Sequence, residues 1–435
     1  MDKANLHSDP NEKLDLKVSI PLALQHVLAM FASNVTPSII IAGAAGLAGA
    51  DKVYLIQMAM LFSGVATLFQ TIGLGPIGAR LPIMQGTSFA FIPVMIPIVK
   101  VSGLATLFGS IFIGGIFHLL LGSFIGKIRR ILPPLVTGTV VLSIGLALIP
   151  VGIKYAAGGV PLMGKPEFGA PVYLILAFTV VIVSMLVKFL FKGVVSSAAI
   201  LIGLAAGYIL GIIVGEVNFD SVANAAWIAY PELFSHGFDI NFAAVISMCL
   251  MSVVSAIETV GDISGITKGG ANREATDKEI SGGTMADGLG TMVAGLFGGL
   301  PNTSFSQNVG VISMTGVMSR HVVTISAIIL IVSGFIPKIG SLISAMPIAV
   351  LGGGVIVMFG MVVSAGLKML SEVKMNRRNM VILALALSVG LGFQAVPSAL
   401  QHFPSSVALL LKTGLLPSAL IAIILNIVIP EETDN

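Results

Sequence analysis

Fourteen apolar runs, each long enough to cross or half cross a lipid bilayer, follow one another along almost the whole chain. The hydrocarbon core of a bilayer is about 30 Å thick, and a helix of roughly 20 apolar residues spans it. Backbone amides find no water there, so such runs fold as helices. The sequence therefore predicts an all-α polytopic membrane protein. We number the runs as spans 1 to 14, and they cover residues 18–45, 53–73, 82–99, 104–126, 132–153, 171–190, 195–214, 241–266, 280–299, 302–315, 321–337, 345–367, 379–395 and 406–430.

The composition excludes several other classes of protein. Hydrophobic residues make up 56% of the chain and charged residues only 10%, whereas a soluble domain is about one quarter charged. The net charge of +3 is spread over the loops, which argues against a nucleic-acid-binding face. Cys249 is the only cysteine, so intrachain disulfides and cysteine-based redox or zinc sites are excluded. The chain has no HExxH pattern and no nucleotide-binding loop, so we expect no enzyme, no cofactor, no metal ion and no direct use of ATP.

The positive charges support the number of spans. Most of the 23 lysines and arginines, including Lys127, Arg129 and Arg130, fall on one side when the N-terminus is cytoplasmic. Cytoplasmic loops are enriched in these residues, so the pattern predicts a multi-pass protein of the cell membrane with both termini in the cytoplasm. Removing one span would move the basic cluster at 368–378 outside. The basic residues that this topology leaves outside are Lys52, Lys100, Lys154, Lys165, Lys338 and Lys412.

A short sequence in span 3 recurs in span 10. Thr87-Ser88-Phe89 is repeated as Thr303-Ser304-Phe305, and helix-breaking glycines and prolines precede both copies. The copies are seven spans apart, and seven is odd, so they run through the membrane in opposite directions. This pattern is typical of two inverted seven-span repeats whose short, broken third and tenth segments meet near the middle of the bilayer.

Few ionisable residues lie inside the spans, and each is a candidate functional residue because a charge in lipid is costly. Glu258 and Asp262 are four residues apart and project from one face of span 8. Asp287 lies in span 9 and His26 in span 1. The alternatives are structural: a polar link between helices for Glu258, a solvated helix end for Asp262, a helix-to-helix pair for Asp287, and a backbone hydrogen bond for His26.

A longer motif runs from span 10 into the next loop. Residues 307–319, QNVGVISMTGVMS, resemble the signature of the nucleobase-ascorbate transporters, the second class of nucleobase-cation symporters, whose pattern is Q/E-N-x-G-x4-T-x3-S/G/R. Further landmarks of that family occur in the same order along essentially the whole chain. They are Gln25-His26, Thr87-Ser88-Phe89-Ala90-Phe91, Glu258 with Asp262, Asp287, and Pro301-Asn302-Thr303.

The resemblance implies a division into two domains and often a homodimer. Spans 1–4 and 8–11 would form a core domain, and spans 5–7 and 12–14 a gate domain. Along the chain this gives an N-terminal cytoplasmic tail at 1–17, core segments at 18–126 and 241–340, gate segments at 127–240 and 341–430, and a C-terminal tail at 431–435.

The resemblance also implies roles for individual residues. Glu258 and Gln307 would bind the edge of a base, Phe89 and Ala90 would contribute backbone groups, and Phe305 would pack on the ring. Asn308 would shape the site, and His26 would lie beside it. An oxidised purine presents N–H donors and carbonyl acceptors along a flat edge, which a carboxylate and a primary amide can match. The alternative for Phe89 and Phe305 is that both are packing aromatics.

Gln307 favours a purine, because similar uracil carriers tend to have Glu at that position. The predicted function is import of xanthine or urate by proton symport through elevator-like alternating access, with Asp287, Glu258 and Asp262 as candidates for proton coupling. The expected partners are the nucleobase, protons and membrane lipid. A uracil or other pyrimidine symporter is the nearest alternative, and an anion carrier of the same architecture is a further one.

Overall fold

The computed structural model describes residues 8–128 and 133–430, so Arg129, Arg130 and the tail residues 1–7 and 431–435 lie outside it. The helices are α1 Leu16–Ala44, α2 Gly49–Thr71, α3 Ile92–Gly122, α4 Ile125–Ile128, α5 Pro134–Ala156, α6 Pro171–Leu190, α7 Val194–Ser197, α8 Ala199–Ile213, α9 Asp220–Asn224, α10 Phe242–Ala271, α11 Asp277–Leu296, α12 Ser306–Thr315, α13 Arg320–Gly334, α14 Pro337–Ser344, α15 Ile348–Ser371, α16 Arg377–Ala395, α17 Ser405–Lys412 and α18 Leu415–Val428. The strands are β1 Gln85–Thr87 and β2 Asn302–Ser304, and short 3-10 turns cover Val160–Leu162 and Pro397–Leu400.

The prediction of a polytopic helical membrane protein is confirmed. Within residues 8–128 and 133–430, eight helices are long and apolar enough to cross a bilayer, or nine if α13 and α14, bent by 80°, form one span. The remaining predicted spans are shorter or more polar: α8 and α18 are short apolar helices, and α11 is less apolar than the spanning helices. The helical part of span 3 and nearly all of span 4 fall in α3, which breaks at Gly103, where φ is 81°. The arrangement is consistent with fourteen elements.

The third and tenth spans are broken as the sequence predicts. In each, a three-residue strand precedes a helix, and the strands pair antiparallel with Gly86 opposite Thr303 and Thr87 opposite Asn302. In the repeated sequence, Thr87 corresponds to Thr303. In the sheet, Thr87 pairs with Asn302, the residue next to Thr303. The axis relating the two halves therefore passes through this small sheet.

Hydroxyl groups satisfy the outer edges of the sheet. The Gln85 N–H donates to Thr67 Oγ1 at 2.9 Å, and the Asn302 N–H donates to Thr291 Oγ1 at 3.0 Å. The Thr67 hydroxyl lies on α2 and the Thr291 hydroxyl on α11, which are the second helices of the two halves. An exposed strand edge is not tolerated in a bilayer, so these bonds allow extended backbone at membrane depth.

Helices seven spans apart run in opposite directions. Gly138 of α5 lies against Leu370 of α15, and Gly145, one heptad further along α5, lies against Val363, one heptad earlier in α15. The pairs α2–α13 and α3–α11 also pack closely. If the two halves are inverted repeats, α2 corresponds to α11 and α13 corresponds to α3, so the two pairs are equivalent contacts. Both observations agree with an inverted repeat.

The predicted inside segments gather on one face. A cavity of ≈ 890 Å³ is lined by Asn11, Arg80, Arg273, Lys278 and Arg320, which belong to the N-terminal segment and three different loops. The fourteen-span topology places all of these segments on the same side of the membrane.

The predicted outside segments also meet one another. The Lys52 ammonium donates to the Ser344 carbonyl at 2.9 Å, and the Asp239 N–H donates to the Ala105 carbonyl at 3.0 Å. Lys52, Asp239 and Ser344 come from three different outside loops of the predicted topology, and Ala105 lies at the outer end of span 4. Which face is cytoplasmic stays a prediction.

The division into core and gate domains stays a prediction as well. Helices α1, α2, α3, α10, α11 and α13 pack mainly on one another, and α5, α6, α8, α15, α16 and α18 do likewise. Two of the predicted domain boundaries fall inside short helices, at 126/127 in α4 and at 340/341 in α14.

Glycines set the distance between α5 and α15, and one of them gives a test. A Cβ added at Gly366 would lie 2.5 Å from the Leu142 backbone nitrogen, whereas nothing lies within 4 Å of one added at Gly360 on the same helix. We expect Gly366→Ala to lower the free energy of unfolding by about 1–3 kcal/mol through overpacking. Melting temperatures of the detergent-purified variants measure this.

Gly360→Ala is the matched control, and it should be neutral or slightly stabilising because alanine favours the helix. Equal melting temperatures for the two variants would contradict the close approach of α5 and α15.

Candidate functional site

A cavity of ≈ 240 Å³ lies where the two broken spans meet α10, α5 and α15. We call it the central cavity. The small sheet and the chain just after each strand form one wall, with Thr87, Phe89, Ala90, Thr303, Ser304, Phe305, Ser306 and Gln307. The opposite wall is apolar and comes from α5 and α15, with Val141, Ile144, Met358, Met361, Val362 and Ala365.

The broken spans turn two helix N-termini toward this cavity. Ser306 and Gln307 are the first residues of α12, and Phe89 and Ala90 immediately precede the start of α3. A helix N-terminus carries unpaired N–H groups and partial positive charge, so it favours a carbonyl oxygen or an anion. The cavity can thus bind such a group without a basic side chain.

Glu258 is the charged residue that lines the central cavity among the described residues. It projects from α10 between the broken spans and the apolar wall, and it also lines an adjoining apolar cavity of ≈ 250 Å³. Gln307 lines the central cavity from α12, so the structure brings the predicted carboxylate and amide to the same space. A carboxylate accepts hydrogen bonds only, whereas an amide both donates and accepts.

The two predicted aromatic residues have different surroundings. Phe89 is partly buried and packs edge to face on Phe359 of α15, with ring centroids 5.4 Å apart. Phe305 is 4% exposed, and its ring lies so close to Gly86 that a Cβ there would be 2.5 Å from it. Both rings line the cavity, and both also have packing roles.

Asn308 and His26 lie behind the cavity wall and do not line it. The Asn308 amide nitrogen donates to the His26 carbonyl at 3.0 Å and lies 3.0 Å from the His26 ring nitrogen Nδ1. Both side chains are buried. In this structure they therefore tie α12 to α1, and a role for either residue in binding the base stays a prediction.

Asp262 is not a solvated helix end. It is 7% exposed, and the hydroxyl groups of Ser304 and Ser306 donate to its two oxygens at 2.6 and 2.7 Å. Ser304 belongs to β2 and Ser306 begins α12, so Asp262 links α10 to the tenth span.

Asp287 is fully buried on α11 beside the small sheet. The side-chain amides of Gln70 and Gln85 donate to its Oδ1 at 3.0 and 2.5 Å, and the Thr259 hydroxyl donates to its Oδ2. No basic side chain within residues 8–128 and 133–430 forms an ion pair with Asp287 or with the two acidic residues of α10. Neutral donors alone therefore surround the buried carboxylate of Asp287.

The sequence analysis missed Gln70, Gln85 and Thr259. Two glutamines and a threonine in apolar spans are a weak signal of a functional site. Nothing in the sequence shows that all three hydrogen-bond to Asp287. In the described part of the chain, no group of three or more His, Cys, Asp or Glu residues is arranged to hold a metal ion.

A second cavity of ≈ 480 Å³ adjoins the central one and shares Ser306, Gln307 and Met361 with it. We call it the side cavity. It is also lined by Lys188, at the end of span 6 that the predicted topology places on the cytoplasmic side, and Ser306 is exposed where the two cavities meet. We therefore expect the central cavity to open on that side.

A model described as the permease family matches residues 17–399. The chain belongs to this family. It is a multi-pass membrane transporter, and the expectation that it is not an enzyme is confirmed because the matching proteins are permeases.

Three curated relatives of this permease are informative. It is 37% identical to the uric acid permease PucJ of Bacillus subtilis (strain 168) over 93% of its own length and 91% of that protein. It is 36% identical to the xanthine permease of the same organism, over 94% and 93% of the two chains. The uric acid transporter UacT of Escherichia coli (strain K12) is 37% identical over 96% and 88%. The resemblance to the xanthine and urate branch is confirmed.

Solved structures show the same fold in distant proteins. The transmembrane domain of the cyanobacterial bicarbonate transporter BicA matches with a TM-score of 0.62 and 16% identity, over 96% of the permease and 100% of that chain. The anion transporter SLC26A9 matches with a TM-score of 0.64 and 13% identity, over 95% and 66%. At these identities the likeness concerns the fold alone.

The opening of the central cavity can be tested by thiol labelling, since Cys249 is the only native cysteine. In a Cys249→Ser background, we expect Ser306→Cys to react with a membrane-impermeant thiol reagent applied from the cytoplasmic side, because Ser306 is exposed where the two cavities join. Mass spectrometry of inside-out and right-side-out vesicles measures the labelled fraction.

Thr303→Cys is the control, since Thr303 lines the same cavity but is 4% exposed. Faster labelling of Ser306→Cys from the outer face, or equal labelling of both cysteines, would show that the cavity does not open as described.

Proposed function

We propose that this permease imports an oxidised purine, xanthine or urate, together with protons. The observation that carries the proposal is the pairing of one acidic residue, Glu258, with one amide, Gln307, across a small cavity that also has aromatic walls. The relatives named as uric acid and xanthine permeases support the same class of substrate.

The chemistry of the cavity fits a flat heterocycle with alternating donors and acceptors. Ring N–H groups would donate to the Glu258 carboxylate, and Gln307 would pair with a neighbouring carbonyl and N–H. Ring carbonyls would accept from the N–H groups at the starts of α3 and α12. Phe89 and Phe305 would pack on the ring, which favours an aromatic ligand over a small inorganic ion.

The anion-carrier alternative is weaker on the same evidence. A bicarbonate transporter and an anion transporter share the fold, but the side chains that line this cavity include an acid and no base among the described residues. A charged carboxylate repels a small inorganic anion, which offers no ring N–H groups to offset the repulsion, so Glu258 would oppose that cargo. The pyrimidine alternative differs only in the size of the ring system, and a competition experiment decides it.

Proton coupling is supported by the burial of the acids. A carboxylate enclosed in an apolar protein interior is costly, and binding a proton removes its charge. Asp287 is fully buried, and Glu258 and Asp262 lie on the neighbouring helix one turn apart. We assign proton coupling mainly to Asp287, with Glu258 binding the base and Asp262 holding the tenth span.

Movement of a core domain past a gate domain would deliver the base. The central cavity lies between the broken spans and the apolar wall of α5 and α15, so sliding along this wall would carry the base with the broken spans. A wall made of apolar side chains resists such sliding little. Both termini would be cytoplasmic, and the gate helices of two copies would form a homodimer.

Substrate recognition can be tested by uptake of radiolabelled xanthine in cells without purine permeases, with urate, uracil and sulfate as competitors. We expect Glu258→Gln to reduce uptake about ten- to hundredfold, the effect of losing a charge-assisted hydrogen bond. Gln307→Glu should shift the preference toward uracil. Gln401→Glu, at an exposed loop position, should leave uptake and competition unchanged.

Uptake of uracil or sulfate in place of xanthine by the unmodified chain would show that the purine assignment is wrong. Unchanged competition in Gln307→Glu would contradict the role of that amide.

Proton coupling has a separate test. We expect Asp287→Asn to lose proton-driven accumulation of xanthine and to keep exchange of labelled against unlabelled xanthine, because the site remains but the proton acceptor is gone. Asp277→Asn, at an exposed position at the start of the same helix, is the control. Uptake by energised vesicles with and without a protonophore measures both activities, and full accumulation by Asp287→Asn would exclude Asp287 as the coupling residue.

A further inference from the structure

The surroundings of Asp287 suit its charged form. Within the described residues, the hydrogen bonds to its carboxylate come from three donors, the amides of Gln70 and Gln85 and the hydroxyl of Thr259. A protonated carboxyl group carries an O–H that needs an acceptor, because an unpaired buried donor is destabilising. A residue that gains and loses a proton in each transport cycle therefore needs a neighbour that can both donate and accept.

The amide of Gln70 is fixed in one orientation. Its nitrogen donates to the Gly283 carbonyl at 2.8 Å as well as to Asp287, and its oxygen accepts from the Ala79 N–H at 3.2 Å. A half turn of this amide would place its oxygen against the Gly283 carbonyl oxygen and its nitrogen against the Ala79 N–H. Gln70 can only donate to Asp287.

The amide of Gln85 has no such restraint. Its backbone is held by Thr67 and by Ser63, whose hydroxyl donates to the Gln85 carbonyl at 2.5 Å. The side chain is fully buried, and its oxygen Oε1 has no hydrogen-bond partner. A half turn of this amide would exchange Nε2 for Oε1 at Asp287 without breaking another side-chain hydrogen bond.

Thr259 is engaged on its other side. Its oxygen accepts from the Ser304 hydroxyl at 3.2 Å and lies 3.4 Å from the Thr303 hydroxyl. It is therefore already part of the network that joins α10 to β2, whereas Gln85 Oε1 is an unused acceptor.

We propose that Gln85 is a positioning residue that pairs with both protonation states of Asp287. With the carboxylate charged, Gln85 Nε2 donates to Oδ1. When a proton binds to Oδ1, the amide turns and the new O–H donates to Gln85 Oε1; on release of the proton the amide turns back. The O–H bond of Asp287 is the only covalent bond that forms or breaks, and the inference rests on the proposed proton symport.

The position of Gln85 connects this exchange to the central cavity. Gln85 lies opposite Ser304 in the small sheet, and Ser304 lines the cavity and donates to Asp262. A change in the hydrogen bonding of Gln85 therefore occurs within the two strands that build the site.

Other titratable groups face Asp287 or lie on the helices packed around it. Glu258 and Asp262 of α10 are the nearest acids, and His118 of α3 lies beside Gly288. The remaining ones on α2, α3, α10 and α11 are Asp51, Lys52 and Tyr54 at the far end of α2, Lys100 of α3, Cys249 and Lys268 of α10, and Asp277, Lys278 and Glu279 at the start of α11.

Two variants of similar shape test the proposal, Gln85→Met and Gln70→Met. The first measurement is pH-difference infrared spectroscopy of the purified full chain, with the carboxylic-acid band of Asp287 assigned by its loss in Asp287→Asn. This measurement needs no substrate. The second is the pH profile of xanthine uptake in energised vesicles.

The two variants should behave differently. Gln70→Met removes a donor that serves only the charged form, so the carboxylic-acid band and proton-driven uptake should persist to higher pH. Gln85→Met removes a partner of both forms of Asp287. The pH at which its carboxylic-acid band disappears should therefore shift less than half as far as in Gln70→Met. Uptake by Gln85→Met should fall about tenfold at every pH, as expected for one lost hydrogen bond. Gln85→Leu repeats the test if Gln85→Met does not fold.

Equal shifts in Gln70→Met and Gln85→Met would overturn the proposal, because Gln85 would then be a fixed donor. A large shift in Gln85→Met with almost none in Thr259→Val would also overturn it, since Thr259 would be the two-way partner. If the bands behave as expected but the unmodified chain shows no proton-driven uptake, the pairing of Gln85 with Asp287 stands and the proposed symport fails.

Discussion

The hydrogen bonding of extended backbone inside the membrane is the constraint on which the rest of this permease depends. Spans 3 and 10 break within the predicted membrane-spanning region, and their extended segments leave N–H and carbonyl groups without partners in a helix. Each strand satisfies one edge on the other strand, and the outer edges are satisfied by hydroxyls of α2 and α11. Because each half of the chain supplies one strand and one such hydroxyl, neither half can complete the site alone.

Close packing of the helices follows from the same requirement. The small sheet fits only where helices approach it tightly, and Gly86 allows the ring of Phe305 to lie against the backbone of β1. The helices that surround the sheet carry the buried acids, so the groups that bind charge lie next to the two helix N-termini. Carriers with the BicA and SLC26A9 fold have the same framework. The side chains around the break, Glu258 among them, set the chemistry of the site in this permease.

Much of the architecture could be predicted from the sequence because its signals are local. Hydrophobic runs, the sidedness of lysine and arginine, and the repeated Thr-Ser-Phe indicate helices, topology and inverted halves without any knowledge of contacts. The acidic residues Glu258, Asp262 and Asp287 stood out because charge is rare in lipid-facing sequence. The amides of Gln70 and Gln85 did not stand out, because polar uncharged residues in spans are common and their partners are far away in the chain.

The sequence by itself determined that this chain crosses the membrane many times, that its third and tenth spans break, and which acids lie inside the protein, because each follows from the transfer of side chains and backbone into lipid. Only the tertiary structure decided that Asn308 and His26 lie behind the cavity, that Asp262 is held by two serines, and that Asp287 meets Gln85. Those contacts join residues up to 282 positions apart, and no local pattern records which of many buried polar groups become neighbours.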